Sequence, residues 1–310
     1  MPIDLFGNEI EKYKVIDRDV LTKVFIQNIK NINEKDLVSM LYSKYEAIID
    51  FSKLCNGDKT GEKISMLFTP HRYSTSTKQG RSIIDAFKMD DFLSGLARAT
   101  LFKEGKCKEL LYQVLQLGIN GIQYVNEFPP YIARDFYLSY NAKIILDPCA
   151  GWGGRMIGAA SVGGFYHGFE PCTKTYKGLI ELGNFLKNFK TGFDFLIENI
   201  PFEDSELSKK YDLALTSPPY YDTELYSEEE TNSCNRYNTF EKWLSGFYIP
   251  MIDKVMKHTD KFILNIGCRK YDLKSPIKYP IQEIRSKLSG GGGFGKKSVG
   301  KESFYLLNNV

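Results

Sequence analysis

Histidine is scarce in this sequence, with only His71, His167 and His258, and of these only His167 lies near a cysteine, Cys172. The cysteines at 55, 107, 149, 172, 234 and 268 stand singly, without a Cys-x-x-Cys pair. Neither a metal centre nor a disulfide framework is expected from such spacing. No apolar run approaches the ~20 residues that span a bilayer. The opening Met-Pro-Ile-Asp-Leu-Phe-Gly-Asn-Glu lacks the basic start and apolar core of a signal peptide. A cytosolic protein, of a cell or of a virus-infected cell, is the expectation. A strong charge of one sign is also missing. The net charge is +3 and the pI about 8.3, which permits a nucleic-acid partner without demanding one.

Apolar residues are plentiful. They make up 43% of 310 positions, enough for one large domain or two smaller ones with a sizeable core. Twenty tyrosines and 21 phenylalanines fit base stacking, but a core could absorb them all.

The stretch 212–221, Asp-Leu-Ala-Leu-Thr-Ser-Pro-Pro-Tyr-Tyr, reads as a buried strand halted at a stiff turn. Pro218 and Pro219 have no N–H, so the turn presents carbonyls and the Ser217 hydroxyl without competing donors. Such an acceptor-rich ledge, with Tyr220 as a stacking surface, suits a planar ligand carrying an amino group. A plain proline turn with a packed tyrosine is the competing reading.

A second landmark begins at Lys143, where Ile-Ile-Leu-Asp-Pro-Cys-Ala-Gly-Trp-Gly-Gly-Arg follows. An apolar strand ends in Asp147, and a glycine turn with Gly151 and Gly153 enters a helix of small residues. Similar turns also serve dinucleotides. The next short strand, 165–170, ends in Glu170, about 20 residues after the turn, where an acid can bind ribose hydroxyls. A helix over 175–189, a strand over 193–197 and the strand at 212–216 continue the rhythm. An α/β fold with a doubly wound, mainly parallel sheet is expected, the glycine turn, Glu170 and the ledge sharing one crevice. A helix over 240–257 interrupted near Pro250, a fifth strand over 261–267 and a closing strand over 303–308 complete it.

The N-terminal region, 1–125, reads as mostly helical, with helices over 9–56 and 82–117. Between them the segment 67–81 is rich in Ser, Thr, Lys and Arg, has no amphipathic period and is expected to be irregular. Arg72, Lys78 and Arg81 are its candidate phosphate contacts, against an ordinary polar loop. Near the C-terminus, basic residues including Lys296 and Lys297 sit among glycines, as on a flexible loop meeting a duplex backbone. The polar segment 221–238, with its acid run Glu228-Glu-Glu, is expected to act as a lid.

With three motifs in order, the chain over 126–267 resembles the amino-methyltransferases that use S-adenosylmethionine to methylate an exocyclic amine of a DNA base. Asp147-Pro-Cys-Ala-Gly-Trp-Gly-Gly is similar to the cofactor motif of that family. Thr216-Ser-Pro-Pro-Tyr is similar to its catalytic motif, and Phe128-Pro-Pro-Tyr to the segment that closes over the methionine end of the cofactor. One departure is that Cys149 stands where an aromatic is usual, with Trp152 where a small or polar residue is usual. The resemblance implies a Rossmann-like class I methyltransferase domain over 126–310, with catalytic roles for Ser217, Pro218, Pro219 and Tyr220. It places Phe128, Pro129, Asp147, Cys149, Gly151, Gly153, Glu170 and Phe202 around S-adenosylmethionine, though Phe202 reads more readily as a plain core residue. The implied partner is DNA, as a duplex with base flipping. Serine in the first motif position inclines slightly to cytosine N4 over adenine N6. An RNA base as substrate, and a catalytically silent nucleic-acid-binding subunit, remain as alternatives.

Overall fold

The computed structural model describes residues 17–75, 81–102, 125, 127–222, 227–267, 270–290 and 299–309, with the side chains of 102 and 285–302 left aside. Seven strands form one sheet in the order β3-β2-β1-β4-β5-β7-β6. They are β1 Ile144–Asp147, β2 Phe165–Phe169, β3 Asp194–Glu198, β4 Leu213–Thr216, β5 Lys261–Ile266, β6 Ile281–Gly290 and β7 Val299–Asn308. β1 to β5 are parallel, and β7 runs antiparallel to both β5 and β6. This is the doubly wound, mainly parallel α/β sheet expected.

Strand residues alternate between two cores because successive side chains face opposite sides of a sheet. Ile145, Leu213, Leu215 and Ile263 enter one core, whereas Leu146, Ala214, Phe262 and Leu264 enter the other. Both faces are covered, so these strands read as continuous apolar runs. Helices α1 Arg18–Ile29, α2 Glu34–Leu41, α3 Lys44–Cys55, α4 Lys63–Phe68, α5 Ile83–Ala86 and α6 Asp90–Phe102 make up the described N-terminal helical region. Asn33 and Ser43 cap the second and third, Ser43 in a reciprocal box with Glu46. Ala47, Phe51, Leu54 and Ile64 of α3 and α4 join the core of the sheet, while Leu37, Tyr73, Phe87 and Leu93 form a separate cluster.

Segment 67–81 is ordered where described: Pro70–Ser74 is a 3-10 turn with His71, Arg72 and Tyr73 buried. Basic residues 285, 287 and 301 stand on β6 and β7, not on a loop. The interruption near Pro250 is a π-helical stretch, Leu244–Tyr248, set between Phe240–Trp243 and Ile249–His258. No helix among the described residues is long and apolar enough to cross a membrane.

Three further helices frame the crevice: α7 Pro130–Ser139, α8 Gly154–Ser161 and α9 Thr173–Lys187. α7 and α8 touch through missing side chains. A Cβ at Gly154 would stand 2.0 Å from the Phe128 carbonyl, and one at Gly158 would stand 2.7 Å from the Ala133 Cβ. This close approach fixes the segment 127–129 against the start of α8. Gly154→Ala is therefore expected to destabilise the protein by about 1–3 kcal/mol. Gly95→Ala, in the exposed interior of α6 with open space around it, should instead be neutral or stabilising by up to ~1 kcal/mol. Thermal melts of both variants check the pair.

Candidate functional site

Strand order reverses between β1 and β4, the point at which doubly wound sheets hold ligands beyond the carboxyl ends of their strands. A cleft of about 200 Å³ opens there. Phe128, Pro129, Cys149, Gly151, Glu170, Phe202, Ser217, Pro218, Pro219 and Tyr220 all line it, so ten of the expected site residues share one wall system.

Asp147 and Gly153 do not line it. Asp147 ends β1 fully buried, and its carboxylate is committed to the protein. Oδ1 accepts from the Thr216 hydroxyl at 2.8 Å and from the Cys149 N–H at 3.2 Å. Oδ2 accepts from Arg155 Nε at 2.6 Å and from the Tyr166 hydroxyl. Its place is behind the glycine turn, outside the cleft lining. Gly153 has φ +95°, and a Cβ there would strike Leu182 and Leu179 of α9 at 2.8 and 2.9 Å. It serves helix packing. Gly151, at φ +56°, is the glycine whose absent side chain leaves room at the cleft, the nearest atom to a Cβ being 3.8 Å away.

Glu170 stands just beyond β2, 8% exposed, with Oε2 accepting from the Gly151 N–H at 3.0 Å and Oε1 from the Cys172 N–H at 2.9 Å. Burial pushes its carboxyl up to about 8, even though both backbone donors act the other way. The Cys149 thiol is also held well above its usual range, first by burial and then by the Asp147 charge. It remains a thiol, unsuited to nucleophilic attack. Phe202 is core and wall together: it is almost wholly buried, its ring meets Phe169 at 4.9 Å, and it borders the cleft.

At the ledge, Tyr220 Oη accepts from the Gly267 N–H at 2.9 Å and lies 3.4 Å from the Asn265 carbonyl oxygen. Its ring is thereby pinned beside Ser217, whose Oγ accepts from Asn265 Nδ2 at 3.3 Å. Tyr221 follows with φ +55°, a left-handed backbone that is strained for a bulky residue. Ring contacts with Tyr271 at 5.6 Å and Phe240 at 5.9 Å hold it there. The segment expected as a lid does reach the cleft, through Thr231, Asn232 and Ser233. It is anchored by Glu229, which accepts from the Thr173 N–H at 3.1 Å and hydroxyl at 3.0 Å at the start of α9.

Arg72 corrects an expectation. It is 2% exposed, paired with Glu127 at 2.9 Å and bonded to Thr69 Oγ1 at 2.6 Å, so no phosphate reaches it at a surface. The basic, hydroxyl-rich composition of its segment describes a buried polar turn as well as a phosphate loop. Arg81 is exposed. Lys78, Lys296 and Lys297 lie outside the described residues. Sequence reasoning passed over Glu127 and Asn265, both of which line the cleft, and left the role of Trp152 open; it lines the cleft too. Their signals were an acid directly before the Phe-Pro-Pro segment and an asparagine inside an apolar strand.

No family model matches the sequence, and no curated protein matches it. Among solved structures, the chain is similar to TrmN from Thermus thermophilus at 15% identity and a TM-score of 0.40, over 59% of this chain and 49% of that one. It is also similar to magnesium protoporphyrin IX methyltransferase (ChlM) from Synechocystis PCC 6803 with bound SAM, at 12% identity and a TM-score of 0.38, over 58% and 79% of the two chains. A methyltransferase from Pyrococcus furiosus matches at 12% identity and a TM-score of 0.39, over 65% and 96%. The match takes in about half the length of TrmN. Scores this low transfer no function.

Two outcomes follow. Asp147→Asn leaves Arg155 buried without its counter-charge, and a stability loss of roughly 3–5 kcal/mol is expected in denaturant titrations. Glu170 accepts from hydroxyls more strongly when ionised than when protonated. If a ribose sits on it, cofactor affinity measured by calorimetry should rise with pH up to about 8 and level off above, and Glu170→Gln should remove that part of the rise.

Proposed function

We propose that this chain is a methyltransferase that uses S-adenosylmethionine to methylate the exocyclic amine of a base flipped out of duplex DNA. One observation carries the reading: the Ser217-Pro-Pro-Tyr ledge opens into the same cleft as Gly151 and the buried Glu170. The cleft's chemistry fits such a cofactor. A glycine leaves its floor clear, a carboxylate stands where a ribose diol can be bound, and Phe202 offers an aromatic edge to an adenine. When bound, S-adenosylmethionine supplies a methyl group on positive sulfur, which the amine lone pair displaces in line to leave a neutral thioether.

The chain's own part is positioning. An exocyclic amine is a poor nucleophile because its lone pair is delocalised into the ring. Ser217 Oγ and the Pro218 carbonyl can accept its two hydrogens, localising the pair and directing it along the transfer path, and the surplus proton leaves to solvent. Neither proline offers an N–H that would compete. Tyr220, fixed by its hydroxyl, gives the flipped base a face to stack on. With Cys149 kept as a thiol, no covalent adduct with the base is part of the reaction. Serine in the ledge inclines the choice of base slightly to cytosine N4 over adenine N6. Arg81, Lys78, Lys296 and Lys297 are the proposed contacts to the DNA backbone.

Tritium-labelled cofactor incubated separately with duplex DNA and with RNA, followed by digestion to nucleosides, tests the reading. Label is expected on an amino-methylated deoxynucleoside. Label only in RNA would move the substrate, and no label in either would overturn the proposal. Ser217→Ala and Tyr220→Ala should each lower transfer by about 10²-fold or more. Cofactor affinity should stay within about threefold of wild type, as expected for groups that act on the amine alone.

A further inference from the structure

Three buried side-chain atoms among the described residues lack a hydrogen-bond partner: Thr100 Oγ1, Glu127 Oε1 and Asn265 Oδ1. The last stands at the ledge itself. Asn265 lies on β5, between the buried Leu264 and Ile266, and is 5% exposed. β5 runs parallel to β4 with Leu264 opposite Thr216, so the next residue on each strand, Asn265 and Ser217, reach the cleft side by side. The amide group is divided in its duties: Nδ2 donates to Ser217 Oγ at 3.3 Å, while Oδ1 has no partner. Burying an amide oxygen without a partner weakens a fold, and a native protein that keeps one has a use for it. An apolar residue would have filled this position in the strand without that cost.

We propose that Asn265 is a specificity-determining residue, its side-chain oxygen accepting a hydrogen from the amino-bearing edge of the substrate base. This rests on the amine-methylation reading above and adds to it a reason for selectivity. The Asn265 N–H occupies one lone pair of Ser217 and so orients that hydroxyl. Asn265 Oδ1, Ser217 Oγ and the Pro218 carbonyl then present acceptors on one side of the cleft. The two hydrogens of an amine meet them together, one on the Pro218 carbonyl and the other shared between Ser217 Oγ and Asn265 Oδ1. A base with a keto oxygen at the same position sets oxygen against oxygen and leaves buried acceptors unpaired, the arrangement by which protein sites discriminate most strongly.

Equilibrium dialysis of labelled nucleosides against the protein saturated with S-adenosylhomocysteine tests this. The pairs compared are cytidine with uridine and adenosine with inosine. The wild type is expected to favour the amino member of at least one pair by about tenfold or more. Asn265→Ala should lower that ratio by about threefold or more, the Ser217 and Pro218 acceptors keeping the remainder, while S-adenosylhomocysteine affinity is unchanged. Asn265→Asp keeps an acceptor and loses the donor to Ser217, and should retain the preference. A preference undiminished in Asn265→Ala would overturn the role of Asn265 and leave the amine ledge standing. Equal weakening of both members of a pair, together with loss of S-adenosylhomocysteine binding, would mark a merely structural residue and overturn it too. A wild type with no preference would sink the amine reading and this inference together. Should Asn265→Ala not fold, Asn265→Leu, of similar shape and without an acceptor, decides: a lowered ratio supports the role, and an undiminished one overturns it.

Discussion

The buried carboxylate of Asp147 is the constraint on which the rest of the site depends. Four donors meet it from four places: Thr216 at the tip of β4, Tyr166 in β2, Arg155 in α8 and the Cys149 N–H in the turn. In a low-dielectric interior an ion pair with Arg155 holds only with such complete satisfaction. The geometry that results reaches the cleft. Thr216 immediately precedes Ser217, so the bond from Thr216 to Asp147 ties the proline ledge to the end of β1. Arg155 also donates to the Cys149 carbonyl, which fixes the course of the turn that exposes Gly151.

From this frame the cleft divides into two halves with different chemistry. On one side, Gly151 forms a floor beside the Glu170 carboxylate, whose two oxygens already hold backbone N–H groups. On the other, Ser217, Pro218 and Asn265 offer acceptors with few donors. Tyr221, with its strained backbone, directly follows the ledge, and a π-helical stretch brings Phe247 to the cleft. Departures from regular backbone are frequent where a ligand must be shaped for, and the left-handed Gly151 lines the same cleft.

Much of this was legible in the sequence because it is local. The strand-turn-helix around Gly151, the acid closing β2 and the proline ledge are each written within a dozen residues, and their order implied the parallel sheet that forms. Networks closed by distant residues were not legible. Asp147 looked like a ligand contact because nothing in its neighbourhood names Tyr166 or Thr216 as partners. Arg72 looked like a phosphate contact because Glu127, its partner 55 residues away, had no visible link to it. Asn265 could be recognised only through its bond to Ser217, 48 residues earlier. Gly153 illustrates a different limit: two glycines in one turn look alike, and only the packing of Leu179 and Leu182 separates a helix contact from a ligand contact.

A crystal structure of the protein with S-adenosylhomocysteine is the most direct test of the claim that one cleft holds both the methyl donor and the amine acceptors. The expected result has the ribose hydroxyls on Glu170, the adenine beside Phe202 and the sulfur facing Ser217 and Tyr220. A ligand bound outside this cleft, or bound within it with its sulfur turned away from the ledge, would contradict it.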